Sequence, residues 1–190
     1  KPEVGDYPFT TSSPMPGMMP FEDVHVQLVD TPPVTVDFLD PATQGLVRGA
    51  DLVLLLVDLA NDDCVEETEA VIRRIEETKT GLATTSFLDE EDVGRSYTRT
   101  VVLLNKCDDP GADDRRQWFN EVTSLEFPQL VISARDQTGL EELRELIFKA
   151  LDVVRVYTKM PHAREPDYDR PFTIMRGGTL LQVAELIHKD

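Results

Sequence analysis

The sequence is poor in cysteine, in basic residues and in long apolar runs, and each scarcity removes a class of protein. Two cysteines, Cys64 and Cys107, are too few for a disulfide scaffold and fit no zinc spacing. A reduced, cytoplasmic protein is therefore expected. Lys and Arg number 19 against 36 Asp and Glu, for a net charge of −17. A surface of that sign repels phosphate backbones and anionic lipid, which argues against bulk electrostatic binding to nucleic acid or to a membrane. No apolar run approaches the roughly 20 residues that a membrane-spanning helix needs. The longest runs, at 52–57 and 101–104, are short and rich in Val and Leu, as buried parallel strands are. At 190 residues and 41% hydrophobic composition, the chain has room for one domain of ordinary size and a fragment of another. It begins at Lys1 rather than at methionine and stops at Asp190 within a predicted helix, so both ends read as cut.

What is present alternates. Residues 1–20 hold five of the 13 prolines and read as an extended, exposed loop. Strands are predicted at 24–29, 51–58, 99–105 and 130–133. Helices are predicted at 66–79, with Val71, Ile72 and Ile75 on one face, and at 115–125, with Trp118, Phe119 and Val122 together. Residues 80–99 are acidic and without period, an insertion loop expected to be dispensable for ligand binding. Thr138-Gly139-Leu140-Glu141 has the form of a capping box. It leads an apolar stripe of Leu140, Leu143, Leu146, Ile147, Ala150 and Leu151. Strand–helix alternation of this kind predicts an α/β fold with a mostly parallel sheet. Ligands in such sheets sit at the carboxyl ends of the strands.

The pattern changes after Asp152. Strands at 153–157 and 172–175 are joined by a proline-rich loop, and Thr179-Leu180-Leu181-Gln182 is a second capping box before a further helix. Counted along the sequence, residues 153–190 carry a net charge of +1 and residues 1–152 carry −18. That asymmetry marks a predicted domain boundary at 152/153.

Four segments at strand ends carry candidate chemistry. Asn105-Lys106-Cys107-Asp108 follows a buried apolar strand. Guanine presents N1–H and the N2 amino group as a donor pair. One carboxylate, Asp108, accepts both through charge-assisted bonds, whereas adenine has neither donor. The Asn105 amide can bridge neighbouring loops and reach N7, and the stem of Lys106 can lie over the base plane. At the end of the next strand, Ser133-Ala134-Arg135 places a backbone N–H where guanine O6 would meet it. Asp30, ending the 24–29 strand, is a carboxylate able to hold Mg²⁺ through water. In the loop Asp6-Tyr7-Pro8-Phe9-Thr10-Thr11, the hydroxyls of Thr10 and Thr11 can ligate Mg²⁺ and feel a γ-phosphate.

Taken in order, these segments resemble the Obg-like GTPases, most closely the branch of developmentally regulated GTP-binding proteins. The stretch YPFTT resembles their switch I and VDTPP the start of switch II. NKCD and SAR resemble their base-recognition elements. The run from VRVYTKMP to PFTIMRGGTLLQVAELIHKD resembles the opening of a β-grasp TGS domain.

The resemblance implies a Ras-like P-loop GTPase sheet over 1–152, without its first strand and phosphate loop, followed by an incomplete TGS module at 153–190. The sequence holds no Gly-Lys dipeptide, so the phosphate loop G-x-x-x-x-G-K-[ST] is expected upstream of Lys1. The missing strand would lie between the one ending at Asp30 and the one ending at Asp58. The resemblance further implies GTP or GDP and Mg²⁺ as cofactors, slow hydrolysis as a regulatory switch, and a ribosome- or RNA-linked role. One departure concerns Pro33, which stands where the family usually has glycine. Having no N–H, it cannot make the γ-phosphate contact of that position, and no catalytic base is identified. The alternative reading is a non-catalytic interaction module that keeps these loops as structure and contacts a partner through its TGS end.

Overall fold

The computed structural model describes residues 13–169 and 171–187. In chain order the elements are β1 (Met15–Phe21), β2 (Val24–Asp30), α1 (Pro41–Gly49), β3 (Val53–Asp58), α2 (Cys64–Glu76), β4 (Thr80–Ala83) and β5 (Phe87–Leu88). There follow β6 (Ser96–Asn105), α3 (Ala112–Val122), β7 (Gln129–Val131), α4 (Leu140–Leu151), β8 (Val153–Val156), β9 (Phe172–Met175) and α5 (Leu180–Ile187). The chain divides into two compact units, residues 1–15 with 29–143 and residues 16–28 with 144–190.

The larger unit is organised by β6. It pairs in parallel with β3 (Val53↔Thr100 to Asp58↔Asn105), with β7 (Val102↔Gln129 to Leu104↔Val131) and with β4 (Thr80↔Ser96 to Ala83↔Arg99). Val101, Val102, Leu103 and Leu104 are all buried, because a central parallel strand is covered on both faces. Alternate residues Leu55, Val57, Val102 and Leu104 join Cys64, Val65, Ile75, Ala112 and Phe119 in one core cluster. Each large apolar side chain buried in this way contributes about 1.5–3 kcal/mol. Both cysteines are free, and burial pushes the Cys64 thiol above its usual pKa. Among the described residues β3 has β6 as its only sheet neighbour and β2 pairs only with β1. No helix among them is long and apolar enough to cross a membrane.

Three expectations are corrected. Residues 80–99 are not an irregular insertion: β4 extends the parallel sheet, β5 pairs antiparallel with the start of β6, and Thr80, Leu82, Ser96 and Thr98 are buried. The acidic run is confined to the turn after β5. There Asp89 accepts from the amides of Glu91 and Asp92, and Asp92 is ion-paired with Lys79 and Arg95. Strands of four and two residues are too short to show a period. Residues 15–20 belong to β1, joined to β2 by a two-residue turn at Glu22-Asp23. Proline is tolerated there because a two-stranded ribbon leaves outward N–H positions free of ladder bonds. In α3 only Ala112 and Phe119, seven residues apart on one face, are buried, while Trp118 (51% exposed) and Val122 (43%) face outward.

One helix was not anticipated. The Asp40 carboxylate accepts from the Thr43 amide at 3.0 Å, and Pro41 occupies the first turn, the usual chemistry of a helix start. The Thr98 hydroxyl donates to the Val47 carbonyl at 2.9 Å, fixing α1 to β6.

In the smaller unit β8 and β9 pair antiparallel (Val153↔Met175 to Val156↔Phe172). The capping box of α5 is formed: the Thr179 amide donates to Gln182 Oε1 at 2.8 Å, and the Gln182 amide to Thr179 Oγ1 at 3.3 Å. Arg155 lies 2.6 Å from Glu22 and 2.9 Å from Asp23, and 4.6 Å over the Phe148 ring. The Tyr157 hydroxyl donates to Asp23 at 2.6 Å. That bond holds the Asp23 carboxyl below its usual range and pushes Tyr157 up. These contacts fasten the hairpin tip to β8.

Candidate functional site

Because β3, β6 and β7 run parallel, their carboxyl ends lie side by side. The chain leaves β6 through Lys106, whose φ of +65° turns it sharply. The Cys107 amide then donates to the Ile132 carbonyl at 3.1 Å, and the Ile132 amide to the Leu104 carbonyl at 2.9 Å. The loop after β6 and the loop after β7 are thus laced together by backbone before any side chain is considered.

The side chains complete the junction. Asn105 Oδ1 accepts from the Ala134 amide at 3.1 Å. The Ser133 hydroxyl donates to Asp108 Oδ1, and Arg135 Nη2 lies 2.7 Å from Asp108 Oδ2. Ser133, fully buried, also accepts from the Asp136 amide at 3.0 Å. Five of the sequence-predicted residues, Asn105, Asp108, Ser133, Ala134 and Arg135, therefore meet in one network. Arg135 also pairs with Asp136 at 2.9 Å. The hydrogen bond to Asp136 first, then the charge of Asp108, raises the Arg135 pKa, and the same bond lowers that of Asp136.

Glycine is required at one corner of this junction. Gly139 has φ +74°, and a Cβ there would lie 2.7 Å from the Val131 carbonyl oxygen. Only glycine combines that backbone conformation with so close an approach.

Lys106, the sixth predicted residue, reaches away from this network. Its Nζ pairs with Asp58 Oδ2 at 2.6 Å, while Asp58 Oδ1 accepts from the Ala60 amide at 2.9 Å. The pair is half exposed and contributes at most about 1 kcal/mol. Its effect is positional: the lysine stem is drawn across the ends of β6 and β3.

Sequence reading missed Arg115. Only 19% exposed, it donates from Nε to the Leu59 carbonyl at 2.5 Å, pairs with Asp62 at 3.1 Å and contacts Asp109. It thereby ties the segment after β3 to the segment after β6. Gly111 leaves room for it, since a Cβ there would fall 2.3 Å from Arg115 Nη1. The readable signal was its place on the same helical face as Ala112 and Phe119, where a cation needs partners.

Of the expected metal residues, Asp30 ends β2 with an exposed side chain, while Thr10 and Thr11 lie outside the described residues. Among the described residues no three His, Cys, Asp or Glu gather as a ligand set. Mg²⁺ does not require one, since it usually takes one or two carboxylates together with water and phosphate oxygens. An exposed carboxylate such as Asp30 fits that donor class. Pro32 is buried, Pro33 is exposed, and Val34 packs against the core cluster.

The sequence has recognisable relatives. A family model described as 50S ribosome-binding GTPase matches residues 1–106. An uncharacterized GTP-binding protein of Methanocaldococcus jannaschii is 26% identical, over 100% of this chain and 62% of that protein. Developmentally-regulated G-protein 1 of Arabidopsis thaliana is 26% identical, over 95% of this chain and 58% of that protein. GTPase Obg of Salinibacter ruber is 30% identical, over 78% of this chain and 42% of that protein. The chain spans about three fifths of the length of the first of these curated relatives.

Proposed function

The chain belongs to the family of 50S ribosome-binding GTPases, and from that premise we propose that its joined β6 and β7 loops recognise the guanine base of GTP and GDP. Its mixed α/β architecture with a parallel central sheet is that of a Ras-like P-loop GTPase. The observation that carries the reading is the network of Asn105, Asp108, Ser133, Ala134 and Arg135 at the carboxyl ends of adjacent parallel strands. Ligands of open α/β sheets bind at such ends.

Each residue has a role in this reading. Asp108 accepts from guanine N1–H and N2–H. Ser133, by donating to Asp108, fixes the carboxylate. Asn105 holds the second loop in place through the Ala134 amide. Lys106, held by Asp58, lays its stem beside the base. Asp30 would hold Mg²⁺, with Thr10 and Thr11 as the hydroxyl ligands that the resemblance implies. When bound, Mg²⁺ neutralises phosphate charge. The full-length protein would hydrolyse GTP slowly and act as a switch, with a ribosome- or RNA-linked partner.

Residues 1–152 would be the GTP-binding domain and residues 153–190 the opening of a TGS module. The antiparallel β8–β9 pair followed by α5 and the change in net charge favour that division.

The reading is tested by competition binding on the full-length protein. GDP is expected to bind at least about a hundredfold more tightly than ADP, from two charge-assisted bonds that adenine cannot make. Equal affinity for the two would remove the proposal.

A further inference from the structure

Asp108 is nearly enclosed, with 10% of its side chain exposed, and one of its oxygens is held by a guanidinium that is itself 71% exposed. The chemistry of that guanidinium matters. The N1–C2–N2 edge of guanine is a guanidine-like fragment presenting two adjacent N–H donors, and the arginine head group presents the same pattern. Arg135, with Nη2 2.7 Å from Oδ2, therefore sets a donor group of the same kind against the carboxylate where the base would dock.

We propose that Arg135 is a specificity-tuning residue that competes with guanine for Asp108. It caps the carboxylate and must swing aside when the base docks. The inference rests on the reading that Asp108 recognises guanine.

Three observations support it. Oδ1 of Asp108 accepts from the Ser133 hydroxyl and Oδ2 is the oxygen beside Arg135, so a base that uses both oxygens meets the arginine at Oδ2. The Arg135 side chain, being largely in solvent, can leave at small cost. A second anchor keeps it close once displaced: its Nε and Nη2 lie 2.9 and 3.3 Å from the two oxygens of Asp136.

The consequence is selective. A competitor for Asp108 lowers affinity for a base that uses Asp108 and leaves untouched a base that does not. Arg135 thus moderates GDP affinity without altering ADP affinity. Because the pair is exposed on the arginine side, the moderation weakens as salt screens it.

The test is titration of full-length wild-type and Arg135→Gln protein with GDP and with ADP, at low salt and at high salt. Arg135→Gln is expected to bind GDP about threefold more tightly at low salt, with the gap closing at high salt and ADP unchanged. If the wild type separates GDP from ADP but Arg135→Gln binds GDP equally or more weakly, the inference alone falls. If the wild type does not separate them, the guanine reading falls and the inference with it.

Discussion

Asp108→Asn is expected to cost the full-length protein its grip on guanine and to transfer preference to xanthine nucleotides. In the proposed reading the carboxylate makes two charge-assisted bonds to the guanine edge, each worth about 1.5–3 kcal/mol. Their loss corresponds to a fall in GDP affinity of about a hundredfold or more. The replacing amide presents a donor, which suits the C2 carbonyl of xanthine and opposes the N2 amino group of guanine. The fold should tolerate the change. An asparagine oxygen still accepts from the Ser133 hydroxyl, and what is lost is one ion pair to a largely exposed arginine, worth at most about 1 kcal/mol. Competition of GDP and XDP against a labelled nucleotide reads the switch directly, and thermal denaturation reports the fold. A variant that keeps GDP affinity within a few-fold of wild type would deny Asp108 its role.

The second large effect concerns residues 80–99, whose composition makes them look removable. Excising them is expected to abolish cooperative unfolding of the larger unit rather than to leave ligand binding intact. The cut takes away β4 and the first four residues of β6, together with the buried side chains of Thr80, Leu82, Ser96 and Thr98. It also removes the Thr98 hydroxyl that holds α1 and the Gly94 carbonyl that accepts from Arg48 at 2.6 Å. With domain stabilities of about 5–15 kcal/mol, the loss of one sheet strand and its buried contacts exceeds what the unit can absorb. Urea denaturation followed by circular dichroism distinguishes the outcomes. A sharp, native-like transition in the deletion variant would show that β4 and β5 are ornamental.

The contrast between these two segments shows what a sequence can disclose. The proposed base-recognition loop is legible because an uninterrupted apolar run, Val101 to Leu104, stops abruptly at Asn105-Lys106-Cys107-Asp108. The physical requirements of a buried strand and of a polar ligand site are written side by side. Ser133-Ala134-Arg135 is legible by its place after the next strand. The pairs that steady these loops are not local. Lys106 meets Asp58 across 48 residues and Arg115 meets Leu59 across 56, and nothing in either neighbourhood announces the partner. β4 is hidden because its neighbours are threonines and acids: Asp92 is paired with Lys79 and Arg95, and the turn is held from afar by Arg48, which donates to the Gly94 carbonyl. α1 was readable from Asp40-Pro41 but is short and apolar only in part. In α3 the adjacency of Trp118 to Phe119 misled, since neighbouring helical residues point about 100° apart and only one of the two can face the sheet.

In the proposed reading, Pro33 limits how the segment after β2 can contact a phosphate. It is exposed beside buried Pro32 and has no amide hydrogen to offer a phosphate. Any sensing of a γ-phosphate there must use another donor.

The claim at the centre of this account is that two hydrogen bonds from one carboxylate select the base, and the relative affinities of GDP, IDP and ADP for the full-length protein test it most directly. Hypoxanthine, the base of IDP, keeps N1–H and O6 but lacks the N2 amino group, so it can make one of the two bonds to Asp108, whereas adenine can make neither. The account predicts a graded series, GDP tighter than IDP and IDP tighter than ADP, each step about tenfold or more. Equal affinities for GDP and IDP, or an ADP affinity matching either, would contradict it.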